Sequence, residues 1–253
     1  MALPVINVPT YKATIPSTKE DVTFRPFLVK EEKILLIALE DGGDVAIAGA
    51  IKQIITSCTF EKVDVEKLAT FDLEYVFLRI RAKSVGEVAK VQVLCEDDGE
   101  TYVEAEVPLE EVEVDFPKGH TNNIKITDDV GVILNYPDMA DMYKGMEEGQ
   151  TTVDFSIQMI KKSVERIFEG ETVHERADFD DKELTTFLES LTSEQFAKIQ
   201  QFFETMPRLT HTVTVTNPNT KKKNKVTLEG LNSFFVLLFL TILWRIICEQ
   251  ILY

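Results

Sequence analysis

The stretch from Thr192 to Phe235, TSEQFAKIQQFFETMPRLTHTVTVTNPNTKKKNKVTLEGLNSFF, constrains the fold more than any other part of the chain. Thr192 and Gln195 have the spacing of a capping box, in which each side chain satisfies the other residue's backbone N–H at a helix start. Phe196, Ile199, Phe203 and Met206 then recur on one helical face, and Phe202 widens the apolar stripe. Pro207 lacks an N–H and stops the helix. Thr212 to Thr216 alternates polar and apolar, and Asn217-Pro218-Asn219-Thr220 is a turn with Pro in its favoured second place. Lys221, Lys222, Lys223 and Lys225 lead into the returning strand Val226-Thr227-Leu228. Lysines so placed either blunt an exposed strand edge or offer a docking surface to an acidic partner. The unit is a signal for packing and binding, because it holds no catalytic residue types in a recognisable arrangement.

Pro4, Pro9, Pro16 and Pro26 block helix across residues 1–29, which predicts an extended N-terminal arm lying on the body or on a partner. Helical patterns follow at Val29–Glu40, from Val45 to Cys58, around Asp64–Leu68 and around Phe71–Lys83. The pattern then switches to alternation from Val88 to Val107, around the turn Asp97-Asp98-Gly99-Glu100. Short strands at 109–116, 123–127 and 130–136 extend this into one small antiparallel sheet over 88–136. Helix returns after Pro137, at Thr152–Glu169 and Asp181–Ser190. The expected fold class is α+β, with an N-terminal helical cluster, a small antiparallel β-sheet, and C-terminal helices with a β-hairpin. The expected divisions are 1–29 (arm), 30–136 (helical cluster plus sheet), 137–235 (helical region with terminal hairpin) and 236–253 (apolar tail).

Composition bears on partners. The chain has 253 residues and carries 43 Asp and Glu against 27 Lys and Arg, a formal charge of −16. Phosphate backbones repel such a chain, so nucleic acid is not an expected partner. Cys58, Cys95 and Cys248 are far apart and form no C-x-x-C pair, which favours a reducing compartment. The start, MALPVINVPTYKA, lacks the basic-then-apolar order of a secretory signal. The tail breaks with all of this. Its uninterrupted apolar run is Phe234–Trp244, followed by Arg245 and Glu249. It reads as a membrane tail anchor, as a helix buried on a partner or the core, or as an out-of-frame extension after Phe235.

No phosphate-cradling glycine loop, nucleophile elbow or H-E-x-x-H helix occurs in the sequence. His120, His174 and His211 are isolated, and each is expected at a solvated loop or element end. The acidic cluster Asp178, Asp180, Asp181 and Glu183 lacks the glycine of a calcium loop and fits a helix start capped by Asp180. The expectation is a protein without catalytic residues, cofactor or metal. Phe202, Phe203, Met206, Phe234 and Phe235 are its candidate partner contacts or core residues.

RPFLVKEEKILLIALE (Arg25 to Glu40) and EQFAKIQQFFETMPRLTHTVTVTNPNTKKKNKVTLEGLNSFF (Glu194 to Phe235) resemble the baseplate hub subunits of T4-like tailed bacteriophages. The resemblance covers most of the chain through Phe235. The tail beyond it departs from the family's polar, aromatic-containing C-terminal helix. It implies a non-enzymatic viral protein of the tail baseplate hub, structural or assisting assembly, with other hub proteins as partners. Such a protein acts in the host cytoplasm during assembly or resides in the virion tail baseplate. The alternative is a membrane-associated protein tethered by the apolar tail.

Overall fold

The N-terminal arm folds back on itself. Tyr11–Thr14 (β1) pairs antiparallel with Asp21–Phe24 (β2), and two polar anchors tie this hairpin to helices. Asp72, fully buried in the helix Thr70–Val85 (α3), accepts hydrogen bonds from the Ser17 backbone N–H at 3.0 Å and from the Ser17 hydroxyl. Burial raises the Asp72 carboxyl above its ordinary range despite those bonds. Arg25, just past β2, ion-pairs with Glu31 on Val29–Glu40 (α1) at 2.9 Å, and both side chains are buried. The computed structural model that shows this describes residues 6–40, 43–144 and 151–234.

The chain forms two compact units. The first comprises Met1–Gly42, Gly49–Asp115 and Arg208–Tyr253; the second comprises Gly43–Ala48 and Phe116–Pro207. Strand pairing closes the first unit: Glu113–Asp115 (β5) joins Arg208–Thr216 (β10), which carries the C-terminal hairpin back to it.

In the first unit α3 is buried on most sides, with Leu73, Val76, Phe77, Leu78 and Ile80 each at most 1% exposed. The helix Asp44–Cys58 (α2) contributes Ile51, Ile54, Ile55 and Cys58 to the same unit's buried residues. Val88–Leu94 (β3) and Tyr102–Pro108 (β4) form the expected hairpin. A 3₁₀ turn at Leu109–Glu111 then leads to β5. Arg79 of α3 fixes that turn by donating to Leu109 O at 2.7 Å and Val112 O at 2.8 Å. Lys223–Glu229 (β11) completes a sheet in the order β11-β10-β5. The expected short helix around Asp64–Leu68 is instead a turn, with Lys67 N–H donating to Asp64 O.

The second unit holds a four-stranded antiparallel sheet, Asn123–Lys125 (β6), Val130–Leu134 (β7), Val164–Glu169 (β8) and Thr172–Glu175 (β9), in that order. Its helices are Met139–Lys144 (α4), Thr152–Ser163 (α5), Asp181–Glu189 (α6) and Ser193–Glu204 (α7). Ile124, Val132, Leu134, Ile160, Leu184, Ile199, Phe202 and Met206 meet in one core. The capping box is present: Thr192 Oγ1 accepts from Gln195 N–H at 3.3 Å, and Gln195 Oε1 from Thr192 N–H at 2.9 Å.

Two expectations fail here, both for reasons of pairing. The strands of 88–136 do not form one sheet but divide among three, because β5 finds β10 and β6-β7 find β8. The helix expected over Thr152–Glu169 ends at Ser163. Val164, Ile167 and Phe168 satisfy helical spacing, yet the segment is β8. Gly170 at φ +59° with Glu171 makes a tight turn that returns β9 against it, and β7 covers its other edge.

Phe168 faces Gly131 across the β7–β8 ladder, and a Cβ on Gly131 would lie 2.0 Å from the Phe168 ring. Gly131→Ala is therefore expected to destabilise the second unit by about 1–3 kcal/mol. The measurement is its urea midpoint, and Phe168→Leu in the same chain should recover part of the loss.

Candidate interaction site

Two turns that the sequence marks separately meet in the first unit. The β3–β4 turn carries Asp97 and Asp98; the β10–β11 turn carries Asn217, Asn219 and Thr220. Asn217, fully buried, donates from Nδ2 to Asp97 Oδ1 at 2.9 Å and Asp98 Oδ2 at 2.8 Å. Asn224, also buried, donates to Asp97 Oδ1 at 2.8 Å and accepts from the Asp97 N–H at 3.0 Å. The Thr220 hydroxyl donates to Asp97 Oδ2, and Asn219 Nδ2 donates to Thr101 Oγ1 at 2.9 Å. The same side chains also build their own turns: Asp98 Oδ1 accepts from Thr101 N–H at 3.1 Å, and Asn217 Oδ1 from Asn219 N–H at 2.8 Å. The two hairpins are clasped tip to tip.

Hydrogen bonds from Thr220 and Asn217 hold the Asp97 carboxyl below its usual range, and those from Thr101 and Asn217 hold Asp98 further below. Both groups release protons more readily folded than unfolded. Their contribution is therefore complete above the unfolded carboxylate pKa of about 3.9 and is lost as pH falls through the folded values. We expect urea midpoints of the first unit to fall between about pH 4 and pH 2, and to fall less in an Asp97→Asn, Asp98→Asn double variant.

The clasp carries an exposed polar face. Thr212, Thr214 and Thr216 stand opposite Thr227, Lys225 and Lys223, and all are exposed. Val213, Val215 and Leu228 point the other way and are buried. β11 is an edge strand, so Lys223 and Lys225 sit where lysine protects an edge. Neither these nor Lys221 and Lys222 form an ion pair among the described residues.

Of the five candidate contacts, three are packed into this chain. Phe202 is 2% exposed, Met206 8% and Phe234 1%. Phe202 stacks on His120 and Tyr136 with ring centroids 5.2 and 5.5 Å away and meets the edge of Phe203 at 5.1 Å. The stripe that Phe202 widens points inward with Ile199, and Phe203 is only half-buried. Phe235 lies outside the described residues, as do all three readings of the apolar tail and Cys248. Among the described residues no helix is long and apolar enough to cross a membrane.

His120 corrects the expectation of a solvated ring. It sits in the Phe202 stack, half-buried, with Nδ1 3.0 Å from Thr205 Oγ1 and Nε2 3.0 Å from Tyr136 Oη, and burial lowers its pKa. His174 and His211 lie within β9 and β10, half-buried. Asp180 caps α6 as expected, accepting from Lys182 and Glu183 N–H at 2.8 and 2.9 Å. Burial pushes the Cys58 thiol up to about 11, well away from thiolate chemistry. No group of three or more His, Cys, Asp or Glu among the described residues could hold a metal ion. A cleft of about 430 Å³ in the second unit is lined by Lys161, Lys162 and Arg176. Its cations are neutralised within the chain: Asp181 pairs with Arg176 at 2.7 Å and Lys161 at 3.6 Å, and Asp141 pairs with Lys162.

A family model described as T4 bacteriophage base plate protein matches residues 8–236. The chain belongs to that family. It is a structural protein of the phage base plate, and the match takes in both stretches that carry the resemblance, as well as the clasped hairpins. No curated protein and no solved structure matches the chain. In this base plate protein the Arg25–Glu40 stretch serves the buried Arg25–Glu31 pair, and the Glu194–Phe235 stretch supplies both a core helix and one half of the clasp.

Proposed function

We propose that this base plate protein acts in the central hub, as a hub component or as a factor that assists hub assembly, without catalysis and through contacts with other hub proteins. The observation that carries this reading is the pair of clasped hairpins. It holds an exposed threonine and lysine face rigidly on a chain of charge −16 and holds no reacting group. A surface of that kind suits a docking partner bearing carboxylates. The protein then works in the host cytoplasm while the hub forms and is carried in the virion tail base plate if it is a component.

Co-expression with the other hub proteins of the same phage, followed by affinity capture of this chain, tests the reading. Capture of at least one hub protein is the expected result. Failure to bind any of them, under conditions where the hub otherwise assembles, overturns it. Mass spectrometry of purified virions then separates component from transient factor.

A further inference from the structure

β11 ends the sheet β11-β10-β5, with no strand paired to its outer edge among the described residues. Hydrogen-bond phase fixes which backbone groups point out of that edge. Asn217 N–H donates to Lys222 O at 2.9 Å, and Gly230 N–H to Leu209 O at 2.8 Å, both in register with the β10–β11 ladder. Hydrogen-bonded and open pairs alternate along an antiparallel ladder. Counting from these pairs, Asn224, Val226 and Leu228 bond to β10, while Lys223, Lys225 and Thr227 turn their N–H and C=O away from it. Among the described residues no group accepts from these three amides. The free run stops after Thr227, because the Ser233 hydroxyl in the 3₁₀ turn Leu231–Phe234 donates to Glu229 O at 2.6 Å.

Side chains on both faces of β11 are left incomplete at this edge. Val213 and Val226 are direct partners on the inner face, yet Val213 on β10 is buried and Val226 only half-buried. Val213 has a strand paired at Val226, whereas the outer flank of Val226 has none, and a further strand there would complete its burial. On the outer face Lys223 and Lys225 are exposed and form no ion pair among the described residues, and Lys221 and Lys222 stand just ahead of them in the turn. The edge is held in shape before any neighbour arrives. Asn224, buried within β11, donates to Asp97 Oδ1 and accepts from the Asp97 N–H, so the clasp fixes the strand at its start. A preformed edge loses little freedom on binding.

Charge selects the occupant. Lysines on an edge deter indiscriminate strand pairing, and opposite charges placed directly across a ladder favour it. Two copies of this chain, at −16 each, repel one another, which points to a different protein. Resting on the reading of the chain as an assembly protein, we propose that an extended acidic segment of a neighbouring base plate protein adds to the outer edge of β11 as a β-strand. Its backbone bonds to the free N–H and C=O groups of Lys223, Lys225 and Thr227. Its side chains alternate with the pleat. Asp or Glu lies beside Lys223 and Lys225 on the exposed face, and an apolar residue covers the open flank of Val226 on the inner face. The lysines that keep the edge from pairing at random thereby become the contacts that choose its partner.

Amide hydrogen exchange tests this on the intact protein, free and in complex with the co-expressed hub proteins of the same phage. In the free protein the amides of Lys223, Lys225 and Thr227 should exchange rapidly while those of Asn224, Val226 and Leu228 are protected. In the complex the first three should slow by on the order of 100-fold. Lys225→Pro removes one outward N–H without touching the bonds to β10 and should weaken capture by about tenfold or more, whereas Lys225→Arg, which keeps the N–H and the charge, should stay within about twofold. A Lys223→Glu, Lys225→Glu double variant, which keeps every backbone group, should also lose about tenfold or more. A complex in which the three amides still exchange rapidly overturns the edge proposal and leaves the hub reading standing. Failure of wild-type protein to bind any hub protein overturns both. Slow exchange of the three amides already in the free monomer means that the chain covers its own edge and overturns the partner strand. Their protection in a concentration-dependent dimer of this chain alone assigns the edge to a second copy and overturns it too. The wild-type exchange decides even where Lys225→Pro does not fold.

Discussion

Phe202→Ala is expected to cost the second unit about 3–5 kcal/mol, the range for removing a buried aromatic ring without refilling its place. Phe202 is 2% exposed and stands between two stacked rings and the edge of a third. Its loss removes apolar burial and the ring contacts together, and it also opens the apolar wall behind His120. Domains of this size are stable by only about 5–15 kcal/mol, so a large part of the margin disappears. Equilibrium urea unfolding of the full chain, followed by a probe in the second unit, should show a much lower midpoint. A midpoint within error of wild type would show that the ring is not held as described. Phe203→Ala is the comparison: its half-buried ring should cost markedly less stability, and a loss of hub-protein capture in a stable Phe203→Ala variant would assign it a contact role.

Glu31→Leu carries the second large effect, about 3–5 kcal/mol, because it leaves a buried guanidinium without its carboxylate. Arg25 donates to Glu31 Oε1 at 2.9 Å and Oε2 at 3.4 Å, and to Pro26 O at 2.9 Å. Glu31 also accepts from the Leu28 N–H at 2.8 Å, so the same carboxylate closes the first turn of α1. Burial works to raise the Glu31 carboxyl, and the bonds from Arg25 and Leu28 outweigh it, so its pKa stays below the ordinary value. The pair's contribution is present above about pH 4.3 and fades as pH falls through the folded value. An Arg25→Met, Glu31→Leu double variant should be more stable than Glu31→Leu alone, since it removes the stranded charge rather than creating it. A double variant as unstable as the single one would mean that packing around α1, not the charge, sets the cost.

The local elements of this base plate protein were legible wherever a few neighbouring residues decide the backbone. Thr192 with Gln195, and Asp180 ahead of α6, announce helix starts because the cap is made by side chains three residues apart. Asp98-Gly99 and Asn217-Pro218 announce turns because those residues restrict their own dihedrals. The α+β class follows from where helical spacing gives way to alternation, and the absence of reactive motifs needs no structure to be read.

What only the tertiary structure decided are the choices that depend on partners far along the chain. Val164–Glu169 satisfies helical spacing, and the strand wins because β7 and β9 saturate both of its edges. Phe202, Met206 and Phe234 read equally as contact or core, since an apolar side chain looks the same in sequence whichever surface it meets. Asp97 and Asn217 lie 120 positions apart, and each alone is an ordinary turn residue. Their clasp exists because folding brings two hairpin tips together, where a carboxylate and a buried amide satisfy one another. The Thr192–Phe235 stretch by itself determined a capped helix, a stop and a hairpin. The sheet in which its hairpin ends up, with β5 on the far edge of β10, was decided by strands far along the chain.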